Sequence, residues 1–332
     1  MNMSEVKITQ RLSTAPAGLS EAGELLRDGK LVAFPTETVY GLGADATNGL
    51  AVAGIYAAKG RPSFNPLIIH IASLQAALDL ADFNADALML AKAFWPGPLT
   101  IVVPRRADCP LSDLALAGLD SVALRIPAAP EAMALLEAVG RPVAAPSANR
   151  SGRVSPTTPE HVLEDLDGLI DAVVMGASAR VGVESTIGSC LADPPMMLRP
   201  GGLAREAIEQ VLGRVLADPS SSAENETAPL APGMLLSHYA PRAAVRLNAT
   251  DIRQGEAALL FGSAPIAGAA RAVAAINLSP RGDLSEAAAA LFGALRTLDT
   301  SGAAAIAVAP VPAHGLGEAI NDRLRRAAAP RT

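Results

Sequence analysis

From Leu31 to Gly213, apolar runs of five to seven residues alternate with stretches whose apolar positions recur at helical spacing. The runs are too short for helices and read as buried strands, and the amphipathic stretches between them supply cover for a sheet. That alternation restricts the region to a mixed α/β sheet with helical layers. Strands are expected at LVAFP (31–35), PLIIHI (66–71), LTIVVP (99–104), VALRIP (122–127), PVAAP (142–146), DAVVMG (171–176) and STIGSCL (185–191). Helices are expected around 51–60, 74–80, 85–93, 131–140, 159–168 and 205–213, and a first helix capped by Ser20 runs over SEAGELLRDG to Gly29. The loop Thr36–Gly43 is read as hydroxyl-rich, with Gly41 and Gly43 letting backbone amides approach a ligand.

Residues 214–243 lose this periodicity and are rich in Ser, Pro, Gly and acids, so a linker is expected there. Beyond it, AVRLNA, EAALLFG, RAVAAINL and AAIAVAPV read as strands, with helices at 284–298 and 316–328. The chain of 332 residues is therefore expected to hold a domain over 1–213, the linker, and a smaller Rossmann-like α/β domain over 244–332. Nineteen of the 60 residues from 251 to 310 are alanine, which favours close helix packing over a site of varied side chains. The second domain reads as a support.

Charge excludes some functions. Residues 1–213 carry 16 basic and 23 acidic side chains, and residues 214–332 carry 11 and 10, so no domain-wide basic field exists to hold a polyanion. Met1–Gln10 lacks the layout of a signal peptide and no apolar run reaches 18 residues, so a cytosolic protein without a membrane span is expected. Cys109 and Cys190 are too few for a zinc or disulfide framework, and the histidines (70, 161, 238, 314) have no metal-ligand spacing. GxxxxGK[ST], GxGxxG and GxSxG are all absent, which sets aside P-loop, dinucleotide and hydrolase-triad chemistry.

What remains is a set of polar clusters at the ends of apolar runs, where open α/β sheets build their sites. Lys59-Gly60-Arg61-Pro62-Ser63-Phe64-Asn65 places one of only four lysines two residues from an arginine. That suits a phosphate grip, and equally a solvated helix C-terminus. Arg125 lies inside an apolar strand and needs an anion, from a protein carboxylate or from a ligand. Ser147-Ala148-Asn149-Arg150-Ser151-Gly152 with Ser155, Val183-Glu184-Ser185-Thr186, and Arg199-Pro200-Gly201 complete the set. Each alone reads as a turn or cap; five in one domain point to a shared site.

PTETVYGLG, KGRPSFNPL, WPGPLT, the VALRIP segment, APSAN, GVEST and LRPG, in that order, resemble the YrdC-like L-threonylcarbamoyladenylate synthases. APGMLLSHYAP (231–241) and GLGEAINDRLRRAA (315–328) resemble the longer, two-domain form. The resemblance implies a YrdC-like twisted mixed sheet and a reaction in which L-threonine, bicarbonate and ATP, with Mg²⁺, give threonylcarbamoyl-AMP and pyrophosphate. It further implies that the product feeds N6-threonylcarbamoyladenosine synthesis in tRNA through a separate transferase complex. By motif, Thr38, His70, Arg125, Ala145 and Ser185 match threonine-holding positions. Lys59, Arg61, Asn65, Ser121, Ser147, Ser155 and Arg199 match ATP-holding ones, Lys59 and Arg61 being the catalytic cations, and Tyr239 matches a linker residue that closes over the nucleotide. No enzyme nucleophile is expected, because in-line attack on the α-phosphate needs positioning and cations.

The linker is expected to act as a lid that keeps water from an unstable carbamate. Its motif departs from the family pattern at Ala231 and Leu235-Leu236-Ser237, while His238-Tyr239-Ala240-Pro241 is kept. Two other readings stand beside this one. An RNA-binding module of the same fold conflicts with the net charge of −7 over residues 1–213. A carbamoyl-adenylate step within a larger maturation enzyme conflicts with the absence of zinc-finger cysteines.

Overall fold

The apolar runs become strands because each is flanked by a residue that stops or caps its neighbour. Asn48, Ser73 and Asn84 accept backbone N–H bonds at the starts of α2 (Gly49–Lys59), α3 (Leu74–Leu80) and α4 (Ala85–Phe94). Gly60 ends α2 at φ 59°, turning the chain sharply toward Arg61. The computed structural model describes residues 7–62, 65–219 and 239–329. Within them, β1 (Gln10–Leu12), β2 (Val32–Phe34), β3 (Gly41–Asp45), β4 (Ile68–His70), β5 (Leu99–Pro104), β6 (Ser121–Arg125), β7 (Val143–Ala144), β8 (Ala172–Val174), β9 (Thr186–Ser189) and β10 (Met196–Arg199) form one sheet. Its order is β1-β8-β2-β3-β7-β4-β6-β5-β9-β10, with parallel and antiparallel pairs mixed.

Side chains alternate between two apolar layers. Val32 and Phe34 pack with α1 (Pro16–Arg27) and α6 (Pro130–Val139), while Ala33 faces the larger core beneath α2, α3 and α4. Two short elements, α5 (Asp113–Leu116) and α7 (Pro159–Leu166), and the amphipathic α8 (Arg205–Leu212) complete the cover. Among the described residues no helix is long and apolar enough to cross a membrane.

Three expectations change. The first helix begins at Pro16, whose fixed φ suits a first helical position, so Ser20 lies inside α1 instead of capping it. Gly41 and Gly43 are strand residues; a Cβ on Gly43 would stand 2.9 Å from the Phe34 ring, so packing demands glycine there. β1 and α5 were not expected, since three and four residues carry too little periodicity to register.

The second sheet is wholly parallel: β11 (Ala244–Arg246), β12 (Glu256–Leu260), β13 (Ala275–Asn277) and β14 (Ala305–Val308) in the order β11-β14-β12-β13. α9 (Leu284–Asp299) and α10 (Leu316–Ala328) pack on it. Its core does not end at its own residues. Val39, Val154 and Val183 of the first domain, with Tyr239, belong to the same apolar cluster as Leu291, Phe292 and Leu295 of α9.

Candidate active site

The strand ends converge on a small cavity of about 40 Å³, room for a few waters. Thr38 reaches it from the turn after β2, Arg125 from the end of β6, Ser147 from the turn after β7, Glu184 and Ser185 from the approach to β9, and Arg199 from the end of β10; Arg61 and Tyr239 close the rim. Most of these side chains sit beside the end or the start of a strand, so backbone polar groups and side chains are presented together.

Arg125 is buried and fully oriented. Its Nη2 donates to Glu37 Oε1 at 2.6 Å, its Nη1 to Thr38 Oγ1 at 2.9 Å, and its Nε to the Gly97 carbonyl at 3.2 Å. Glu37 Oε2 accepts the Ala128 and Ala129 amides at 3.0 and 3.3 Å. Burial pushes the Glu37 carboxyl up, but Arg125 and these donors outweigh it and hold the group below its usual range. Each Nη carries a second N–H, so the fork can still receive a ligand carboxylate. The sequence left the anion of Arg125 open; the structure supplies Glu37.

Two other cations are buried without a carboxylate. Lys59 Nζ donates to the Ser147 and Asn149 carbonyls at 2.6 and 2.5 Å, and Arg61 Nη2 to those of Pro66 and Asn65 at 3.1 and 3.4 Å. Neither forms an ion pair among the described residues. Burial, then the neighbouring Arg61, lowers the Lys59 ammonium well below its usual value, and burial lowers the Arg61 guanidinium to about 10. Four buried atoms of the motif residues have no hydrogen-bond partner among the described residues: Arg61 Nε, Asn65 Oδ1, His70 Nδ1 and Asn149 Oδ1. Unsatisfied buried groups are rare in folded proteins and call for an explanation.

On the opposite wall, Arg199 donates to the Ser185 carbonyl at 2.7 Å and to Ser185 Oγ at 3.3 Å, and Ser185 Oγ shares a 2.7 Å bond with Thr100 Oγ1. Glu184 Oε1 accepts from Ser155 Oγ at 2.5 Å, and its Oε2 from Arg323 Nε of α10 at 2.8 Å. Burial raises this carboxyl, yet Arg323 and Arg199 keep it below its usual range. Tyr239 is buried at a φ of 62°, uncommon for an aromatic residue.

Residues 24–201 match the family model described as "Telomere recombination", which groups the Sua5, YciO and YrdC proteins, and residues 203–329 match the "Threonylcarbamoyl-AMP synthase, C-terminal domain" model. The threonylcarbamoyl-AMP synthase of Bacillus subtilis is 44% identical over 97% of this chain and 96% of its own length. The chain belongs to the threonylcarbamoyl-AMP synthase family. The synthase of Pyrococcus abyssi is 44% identical over 92% of each chain. A crystal structure of the P. abyssi Sua5 protein complexed with L-threonine superposes with a TM-score of 0.87 at 40% identity, covering 97% of this chain and 98% of that one.

Among the family's motif residues, Thr38, Arg61, Arg125, Ser147, Ser185, Arg199 and Tyr239 line one cavity. Lys59, Asn65 and His70 stand just behind that lining, buried. His70 pairs in register with Arg125 across β4 and β6, and burial followed by the charge of Arg125 lowers its imidazole to about 3, so the ring is neutral. Ala145 is buried and its N–H is taken by the Ile68 carbonyl. Ser155 does not line the cavity and is committed to Glu184. Ser121 is also outside it, at the far end of β6, but alternation places Ser121, Ala123 and Arg125 on one sheet face. Ser63, Phe64, Ala231, Leu235-Leu236-Ser237 and His238 lie outside the described residues. Glu37, Glu184 and Arg323 were not singled out from the sequence as site residues. A carboxylate inside a polar motif, PTETVYGLG or GVEST, was the available signal for the first two; nothing in the sequence placed Arg323 near residue 184.

Proposed function

We propose that this chain makes L-threonylcarbamoyl-AMP from L-threonine, bicarbonate and ATP with release of pyrophosphate, and that the product feeds tRNA threonylcarbamoylation by a separate transferase complex. The observation that carries this is the pair of buried cations, Lys59 and Arg61, which among the described residues rest on carbonyl oxygens and form no ion pair, with Arg61 Nε, Asn65 Oδ1 and Asn149 Oδ1 left unsatisfied. Buried charge without counter-charge is costly, and a polyphosphate offsets it.

In this reading the threonine carboxylate takes the open N–H groups of Arg125, and its hydroxyl and amine are met by Thr38 and Ser185. The amine nitrogen bonds to the bicarbonate carbon with loss of water. A carbamate oxygen then attacks the α-phosphorus in line, and the bond to the β-phosphate breaks to release pyrophosphate. Arg61 and Arg199 meet the charge on the phosphates, and the third N–H of Lys59 supports them. His70, neutral, only donates or accepts a hydrogen bond. Glu37 and Glu184 each have both oxygens engaged. No group of three or more His, Cys, Asp or Glu that could hold a metal is found among the described residues. In this reading Mg²⁺ arrives with ATP, held by the phosphate oxygens as part of the substrate.

Purified protein given all three substrates and Mg²⁺ is expected to release pyrophosphate, and omission of either threonine or bicarbonate is expected to stop it. Equal release without threonine would falsify the assignment.

A further inference from the structure

The C-terminal domain touches the cavity wall at every turn that carries a site residue on that side. Val39 follows Thr38, Val154 precedes Ser155 and Val183 precedes Glu184, and all three valines are buried in the core of the C-terminal domain. Between the last pair of domains' surfaces there is no slack. A Cβ on Gly182 would fall 2.4 Å from the Ala288 carbonyl oxygen and the Ala289 Cα of α9, and Gly182 also needs its φ of +76°. The alanine-rich face of α9 thus lies directly on the 181–183 segment, and this closeness is what its small side chains permit.

Arg323 of α10 goes further. It is fully buried, and its guanidinium is spread over both domains. Nε holds Glu184 Oε2 at 2.8 Å, and Nη1 holds the Pro200 carbonyl at 2.8 Å and Asp322 at 2.7 Å. Its Cζ lies 5.2 Å from the centre of the Tyr239 ring, within reach of a cation–π attraction. The same ring stacks on Phe292 of α9 at 5.6 Å with 24° between planes. One side chain therefore grips the residue before Ser185, the residue after Arg199, and the aromatic ring on the rim. A docking contact alone would not need to end on three parts of one cavity.

We propose that Arg323 is a positioning residue of the active site supplied by the C-terminal domain: through Glu184 and Pro200 it sets the Ser185 and Arg199 wall, and with Phe292 it holds Tyr239 at the cavity. It acts through these residues and is not among those lining the cavity. The assignment rests on the proposed synthase activity for its kinetic consequence, but its structural consequence stands apart from any reaction.

The test compares Glu184→Gln with Glu184→Gln/Arg323→Met, so that the arginine is removed without stranding a buried carboxylate. Asp322 keeps Arg326, whose Nε lies at 3.0 Å. Two quantities are read: kcat and the threonine KM for threonine-dependent pyrophosphate release, and amide hydrogen exchange at Ala240, whose N–H donates to the Gly152 carbonyl at 2.9 Å beside Tyr239. Loss of Arg323 is expected to lower kcat at least tenfold, leave the threonine KM within threefold, and speed Ala240 exchange at least tenfold. Equal kcat, or equal exchange, in the two variants overturns the proposal. A wild-type protein that releases no pyrophosphate would remove the synthase reading, and the exchange comparison would still decide the role of Arg323. Should the double variant not fold, Arg323→Lys carries the same comparison against wild type, since lysine keeps the charge but cannot hold Glu184 and Pro200 together.

Discussion

The site arginines of the first domain and the exposed arginines of the second stand in opposite settings. In the first, Arg61 just after α2 and Arg125 and Arg199 at the ends of β6 and β10 are buried and bond to carbonyl and hydroxyl oxygens, and Arg125 also pairs with Glu37. In the second, Arg246 pairs with Glu256 and Asp251, Arg253 with Asp251, and Arg281 with Glu286, all with guanidinium groups partly or largely open to water. Surface pairs of that kind contribute little and select no ligand. Buried cations held on neutral oxygens leave electrostatic demand for an anion. The domain that is more acidic by composition thus carries the cationic site, because local placement, not net charge, sets the field a ligand meets. The exceptions prove instructive: Arg296 and Arg323 belong to the second domain but turn toward the first, where Arg296 binds Asp165 at 2.7 Å and Arg323 binds Glu184.

The contrast can be broken most severely at Arg125. Arg125→Ala leaves Glu37 buried and unpaired, and a loss of about 3 to 5 kcal/mol in denaturant unfolding is expected, with threonine-dependent turnover abolished. Arg281→Ala, its solvent-exposed counterpart, is expected to leave the melting temperature unchanged. Arg61→Met sharpens the comparison in the other direction. Pyrophosphate release is expected to fall at least tenfold, about 1.4 kcal/mol in the barrier, while the ligand-free protein gains thermal stability because an uncompensated buried charge has gone. A lower melting temperature for that variant would show that Arg61 is already satisfied by the protein.

A further effect is expected at His70, and it is read through pH. Its imidazole is held at about 3 against a usual 6.5, so as pH falls below 6.5 the unfolded chain takes up a proton that the native state refuses. Stability is therefore expected to fall with decreasing pH by up to about 1.4 kcal/mol per unit from this residue. Glu37 and Glu184, lowered from 4.5, keep their contribution until pH drops below that value, so the window between 4.5 and 6.5 separates the two. His161, lowered mainly by burial, acts in the same window and remains in both proteins compared. Urea unfolding of wild type and His70→Asn at pH 6.5 and 5 measures the difference. Parallel curves would mean that His70 accepts a proton in the native state.

Much of the site could be read from the chain because its residues sit in short motifs that end strands, where a polar cluster after an apolar run is visible without coordinates. Lys59 and Arg61 announced themselves by rarity and spacing, and Arg125 by its apolar surroundings. Gly43 misled for a definable reason: a glycine needed for packing against Phe34 looks the same in sequence as one needed for a ligand. Ser155 reads as a ligand hydroxyl in the sequence, and only coordinates show that its O–H also donates to Glu184.

The amino-acid sequence by itself determined the alternation of strand and helix, the grouping of polar residues at strand ends, and the family to which those motifs belong, because each depends on neighbours within a few residues. Tertiary structure alone decided that Glu37 is the anion of Arg125, that Lys59 and Arg61 form no ion pair among the described residues, and that α10 reaches the site. Those facts join residues 88 to 139 positions apart. Pairings at such separations depend on the packing of whole elements, which no local pattern encodes.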